Sequence, residues 1–71
     1  MKQYAIVIER VPGGNYCASV LDLPGCVSTG DKLEEVKRNI KEAIEFHLEG
    51  MREDGLPIPE PTTEAAYAEV A

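Results

Sequence analysis

Residues 29–57 read TGDKLEEVKRNIKEAIEFHLEGMREDGLP, and the fold of this stretch decides what the rest of the chain must do. Asp31 followed by Glu34 has the spacing of a capping box, in which two side chains satisfy free N–H groups of a first helical turn. Leu33, Val36, Ile40, Ile44, His47 and Met51 then recur at helical spacing. Gly55 suits the left-handed residue past a helix end, and Pro57 cannot continue a helix. The pattern predicts a helix of roughly six turns, with an apolar stripe that must be buried against something.

The flanking sequence supplies a sheet for that purpose. Residues 4–11, YAIVIERV, are β-branched and predict a strand. Ile6 and Ile8 fall on one face and Ala5 and Val7 on the other, so both faces are expected to be partly covered. Pro12-Gly13-Gly14-Asn15 is turn chemistry. Residues 16–21 then form a second strand, with Tyr16, Ala18 and Val20 sharing one face. In Asp22-Leu23-Pro24-Gly25, proline before glycine fits a type II turn, where glycine accepts positive φ. Residues 26–29 make a short third strand.

After the helix, Pro57, Pro59 and Pro61 require extended chain outside any central strand. Tyr67 and Val70, within AAYAEV at 65–70, predict a fourth strand reached by a right-handed crossover. The expected fold is α+β, in the order β-β-β-α-β. Its four-stranded mixed sheet has the order 3-2-1-4, and the long helix packs on one face.

Seventy-one residues make one domain, 1–71. A domain this small buries only about 60% of its unfolded surface. Disulfides, metals or oligomers restore the deficit in other small domains. Cys17 and Cys26 form no CxxC pair, and a single histidine cannot complete a zinc site with them. A bridge between the two cysteines is possible, but nothing demands it. A homodimer or higher oligomer is therefore expected.

Thirteen acidic against seven basic residues leave a net charge of −6, which disfavours direct nucleic-acid binding. The same charge suits a basic partner, or simply keeps a small protein in solution. No apolar run approaches the roughly 20 residues of a membrane span, and no signal segment is visible, so a cytoplasmic location is expected.

His47 falls mid-stripe and is expected to be packed between helix and sheet. No second histidine exists, and no serine or aspartate stands at a motif spacing, so catalysis and metal binding are disfavoured. Glu42, Glu45, Glu49 and Glu53 gather on the opposite side. A solvated face is the plain reading, helped by Arg38 and Lys41 four residues before Glu42 and Glu45. Together with Asp22, these four are also the candidate carboxylates for gripping a basic partner. Phe46 projects ~110° from the stripe centre, flanked by small Ala43 and Gly50, and marks a candidate subunit or partner contact. Glu9 and Glu69 are the carboxylates a nuclease would need on neighbouring strands, but two without a supporting motif are too few. The chain is expected to be non-enzymatic and to carry no cofactor or metal.

With these elements laid out, the sequence resembles the HicB-like antitoxin family over nearly its whole length. The resemblance is carried by YAIVIE, SVLDLPGCVSTGD, EEVKRNIKEAIEFHLEGM and EDGLPIPEP. No one of these is specific, but the combination is. Lys32, where threonine is common, and Val36, where alanine is common, are mild departures. The resemblance implies a partial ribonuclease-H-like fold and the role of antitoxin in a type II toxin–antitoxin system. It also implies a partner, a small basic HicA-type toxin that cleaves mRNA and is neutralised by occlusion. Many such antitoxins carry a second, C-terminal DNA-binding domain. The 71 residues leave no room for one, so operon repression by this polypeptide is not expected. The alternative is an orphan relative, an oligomeric structural or regulatory domain with no toxin.

Overall fold

A computed structural model describes residues 2–71. Three strands, β1 (Ile6–Arg10), β2 (Tyr16–Val20) and β3 (Val27–Gly30), precede one helix, α1 (Leu33–Glu53). The strands form an antiparallel meander in the order β1-β2-β3. Ile6 stands opposite Val20 and Ile8 opposite Ala18, so the face that receives the helix is apolar across both strands. Gly13 and Gly14 take positive φ at the first turn. Gly25 does so at the second, with the Cys26 N–H donating to the Leu23 carbonyl as a type II turn requires.

The core is small. Ala18, Val20, Leu23, Cys26, Val36 and Ile40 are buried, and Ile6, Ile8, Tyr16, Ile44 and Leu48 pack around them half-covered. Leu23 sits in the turn between β2 and β3, yet is completely buried, closing the core from below. At the other end, Gly30 lets β3 touch the helix backbone. A Cβ there would lie 2.7 Å from the Val36 nitrogen.

The helix starts one residue later than the expected capping box. Its N-cap is Lys32, which supplies no side-chain cap. The Asp31/Glu34 pairing is replaced by Glu35, whose Oε1 accepts the Asp31 N–H at 2.7 Å. The cause is β3, which runs through Gly30 and leaves Asp31 and Lys32 to make the bend. At the far end the Gly55 N–H donates to Arg52 and the Leu56 N–H to Met51, with Gly55 at φ +71. This is a Schellman cap, as the Gly-Leu-Pro signal implied.

The fourth strand expected over 65–70 does not form, so among the described residues the sheet has three strands. Three alternating prolines withhold ladder donors before this run begins. The next two amides, of Thr62 and Thr63, donate to Asp22 instead. Residues 63–67 still pass alongside Ala5, Val7 and Leu21 without joining a ladder. Cys17 and Cys26 are both free thiols.

The 21 residues of α1 span about 31 Å, whereas strands of four or five residues span about 15 Å. The helix runs back from the Gly30 end, so its last turns overhang the sheet. Val36 and Ile40 are therefore buried, but His47 and Met51 farther along the stripe are only half-covered.

Two outcomes follow from this packing. Gly30→Ala forces the two backbones apart and should lower stability by on the order of 1–3 kcal/mol, read from the urea midpoint. Burial pushes the Cys26 thiol pKa up, so Cys26 should react with a disulfide reagent more slowly than half-buried Cys17 near neutral pH. Comparing Cys17→Ser with Cys26→Ser assigns the two rates.

Candidate functional site

At ~100° per residue, α1 presents four distinct sides. One is the buried stripe. Opposite it, Glu42, Glu45, Glu49 and Glu53 are all exposed, spaced three, four and four residues apart and extending along about 16 Å of helix. None of them makes an ion pair among the described residues, where Lys2–Glu60 at 2.7 Å is the only one. The expected pairing of Arg38 with Glu42 and Lys41 with Glu45 is therefore not made. The face carries its negative charge free.

On one flank of this acidic face lies Phe46, 71% exposed. It borders a shallow depression shared with Ala43, His47, Gly50 and Met51 on the helix and with Gly25 and Cys26 beside the turn. Nothing packs against a Cβ built at Gly50, so the depression is open there. His47 lines this depression beside Cys26 and Met51 and is only half-covered there. Among the described residues, no three histidine, cysteine or acidic side chains gather where they could hold a metal ion.

On the opposite flank Lys37, Lys41 and Arg52 border an open cleft of about 830 Å³ between the helix and the start of β1. This group of cations was not marked by the sequence. Its members come from α1 and from the N-terminal segment, where Lys2 closes the rim.

Asp22 stands apart from the acidic helix face. Its Oδ2 accepts the N–H groups of Thr62 and Thr63, each at 3.0 Å. Its Oδ1 accepts their hydroxyls at 3.2 and 2.8 Å. Four donors on one carboxylate make a clamp that holds the chain after the prolines. The Tyr4 hydroxyl on the Pro59 carbonyl and the Lys2–Glu60 pair fasten the same segment upstream. Asp22 is thus engaged within its own chain, whereas the helix glutamates face solvent.

This order of elements carries the Leu23-Pro24-Gly25 turn, the Gly30-Asp31 entry to the helix and the Gly55-to-Pro59 exit. A profile of the HicB-like antitoxin of bacterial toxin–antitoxin systems matches residues 4–70. The chain belongs to the HicB-like antitoxin family. Among its relatives is a 14.9 kDa protein from the rep-hol intergenic region of Haemophilus phage HP1, 55% identical over 56 residues. That match covers 79% of this chain but only 41% of the phage protein. A UPF0150 protein of Archaeoglobus fulgidus is 44% identical over 55 residues, covering 75% of this chain and 80% of the relative. A UPF0150 protein of Synechocystis is 39% identical over 56 residues, covering 79% and 71% respectively. Among the described residues of this family member, no helix is long and apolar enough to cross a membrane.

The clamp in this HicB-like domain depends on an ionised Asp22. Hydrogen bonds, that from the Thr63 N–H first, hold its carboxyl below the ordinary value of 3.8. The clamp is therefore complete above that value and is lost as the pH falls through the lowered one. Protection of the Thr62 and Thr63 amides against exchange, relative to the free-chain rate, should fall across that acid window. Asp22→Asn should remove that protection at neutral pH and abolish the acid step, while the helical circular dichroism stays unchanged.

Proposed function

We propose that this chain is an antitoxin that neutralises a basic HicA-type, mRNA-cleaving toxin in the cytoplasm by covering its RNA-binding surface. It acts without catalysis or a cofactor. The observation that carries this reading is the free acidic face of Glu42, Glu45, Glu49 and Glu53 beside the exposed Phe46. Lysine and arginine groups shaped for phosphate meet carboxylates well, because charge-assisted hydrogen bonds are among the strongest available. Phe46 supplies the apolar anchor that interface centres need, and the depression next to it gives a partner side chain somewhere to enter.

The Ala43, Phe46 and Gly50 flank was expected to serve a subunit or partner contact. The charge around it favours the partner. A two-fold contact would set Glu42, Glu49 and Glu53 of two copies against each other, and like charges face to face repel. A basic toxin meets no such repulsion. Self-association then belongs on another side of the helix.

The test is co-expression with a HicA-type toxin, including any encoded beside this gene. The chain should restore growth and should be retained by the tagged toxin. Glu42→Lys/Glu49→Lys should weaken binding by at least about tenfold and flatten its dependence on salt. Phe46→Ala should weaken binding to a similar degree while leaving the salt dependence intact. Failure to bind or rescue any HicA-type toxin overturns the reading. Unchanged affinity in both variants moves the interface elsewhere.

A further inference from the structure

The cleft on the cationic flank has an apolar floor. Tyr4, Ile6, Ile44 and Leu48 form that floor. It runs along α1 from Lys37 to Arg52, against Tyr4 and Ile6 at the start of β1. Lys37, Lys41 and Arg52 stand around it without an ion pair among the described residues, and Lys2 is bonded to Glu60. Four of the chain's seven lysines and arginines, with the Glu45 carboxylate among them, thus line one apolar surface in a chain of net charge −6. A basic toxin is repelled here. An acidic segment with apolar side chains is attracted.

The chain itself contains such a segment. Residues 64–70, EAAYAEV, place Glu64 and Glu69 around Tyr67 and Val70. Tyr67 is fully exposed and Val70 is 89% exposed, so neither finds cover in its own chain. Within its own chain the segment is led away from the adjoining cleft. Asp22 pins Thr62 and Thr63, and the residues that follow run past Ala5, Val7 and Leu21. The cleft instead opens toward the helix from Tyr4 and Ile6.

We infer that the cleft is the seat for residues 64–70 of a second copy of this chain. Tyr67 and Val70 lie on Ile44 and Leu48, and Glu64 and Glu69 meet Lys37, Lys41 and Arg52. The exchange is reciprocal, so one two-fold axis fills both seats and closes the assembly as a dimer. Each chain then covers the apolar surface that a small core leaves exposed. The acidic face and Phe46 stay outward and free for a toxin. This inference goes beyond the antitoxin reading and is tested without a toxin.

Natural-abundance and isotope-heavy preparations of the full chain are mixed and treated with a zero-length carbodiimide. Links from Glu64 or Glu69 to Lys37 or Lys41 are expected in light–heavy pairs. Sedimentation equilibrium should show a dimer that Tyr67→Asp weakens by at least about tenfold. Lys41→Glu should weaken it too, and Lys41→Glu combined with Glu69→Lys should recover much of the loss. All four positions are exposed, and circular dichroism verifies that each variant is folded. A wild-type monomer at the highest soluble concentration overturns the inference. So do links confined to single chains, or a dimer indifferent to Tyr67→Asp but lost with Phe46→Ala. Toxin rescue is read by growth and this seat by mass, so either can fail alone.

Discussion

The whole molecule depends on how closely the start of one helix approaches the end of one strand. At Gly30 the β3 backbone meets the helix backbone at Val36 with no room for a methyl group. That contact sets the height of α1 above the sheet. Val36 and Ile40 then reach down between Ala18, Val20 and Leu23, and these few side chains make up most of the core. Raise the helix by the thickness of one methyl group and the core becomes a layer of gaps, because dispersion attraction decays steeply with separation. A chain of 71 residues has little other apolar burial to offset such a loss.

Fixing the helix at one end also determines what the other end can do. Anchored at Gly30 and longer than the sheet, α1 must project beyond it. Along its length the surface becomes differentiated. Carboxylates occupy the outer side, Phe46 and small residues one flank, and cations the other. A single helix thereby offers two chemically opposite surfaces within one helix width, and a basic and an acidic partner segment would sort themselves between them.

Much of this was legible from local patterns. The body of the helix, the Gly55 cap and the turn at Gly25 are written in short-range signals, each with its own steric cause. The acidic face follows directly from residue spacing. What escaped reading is what depends on distant parts of the chain. The helix cap moved because the length of β3, set by pairing with β2, shifted the bend to Asp31 and Lys32. Leu23 reads as a turn residue, and only the closing of the meander shows it buried. The run at 65–70 has modest strand propensity, and the clamp on the threonines before it outcompetes pairing. The cationic rim joins Lys2 to helix residues far along the chain, so no window of sequence contains it.

The Asp22 clamp joins residues 40 and 41 positions apart. Such a contact closes a loop that contains β3 and the entire helix, and the entropy of closing it can be met only once those elements are compact. The fastening of residues 62 and 63 is thus among the last events of folding and, by reversal, among the first to come undone. The meander and helix do not need it in order to assemble. The C-terminal segment can accordingly detach and re-attach on its own timescale, as a local opening with a far lower free energy than global unfolding.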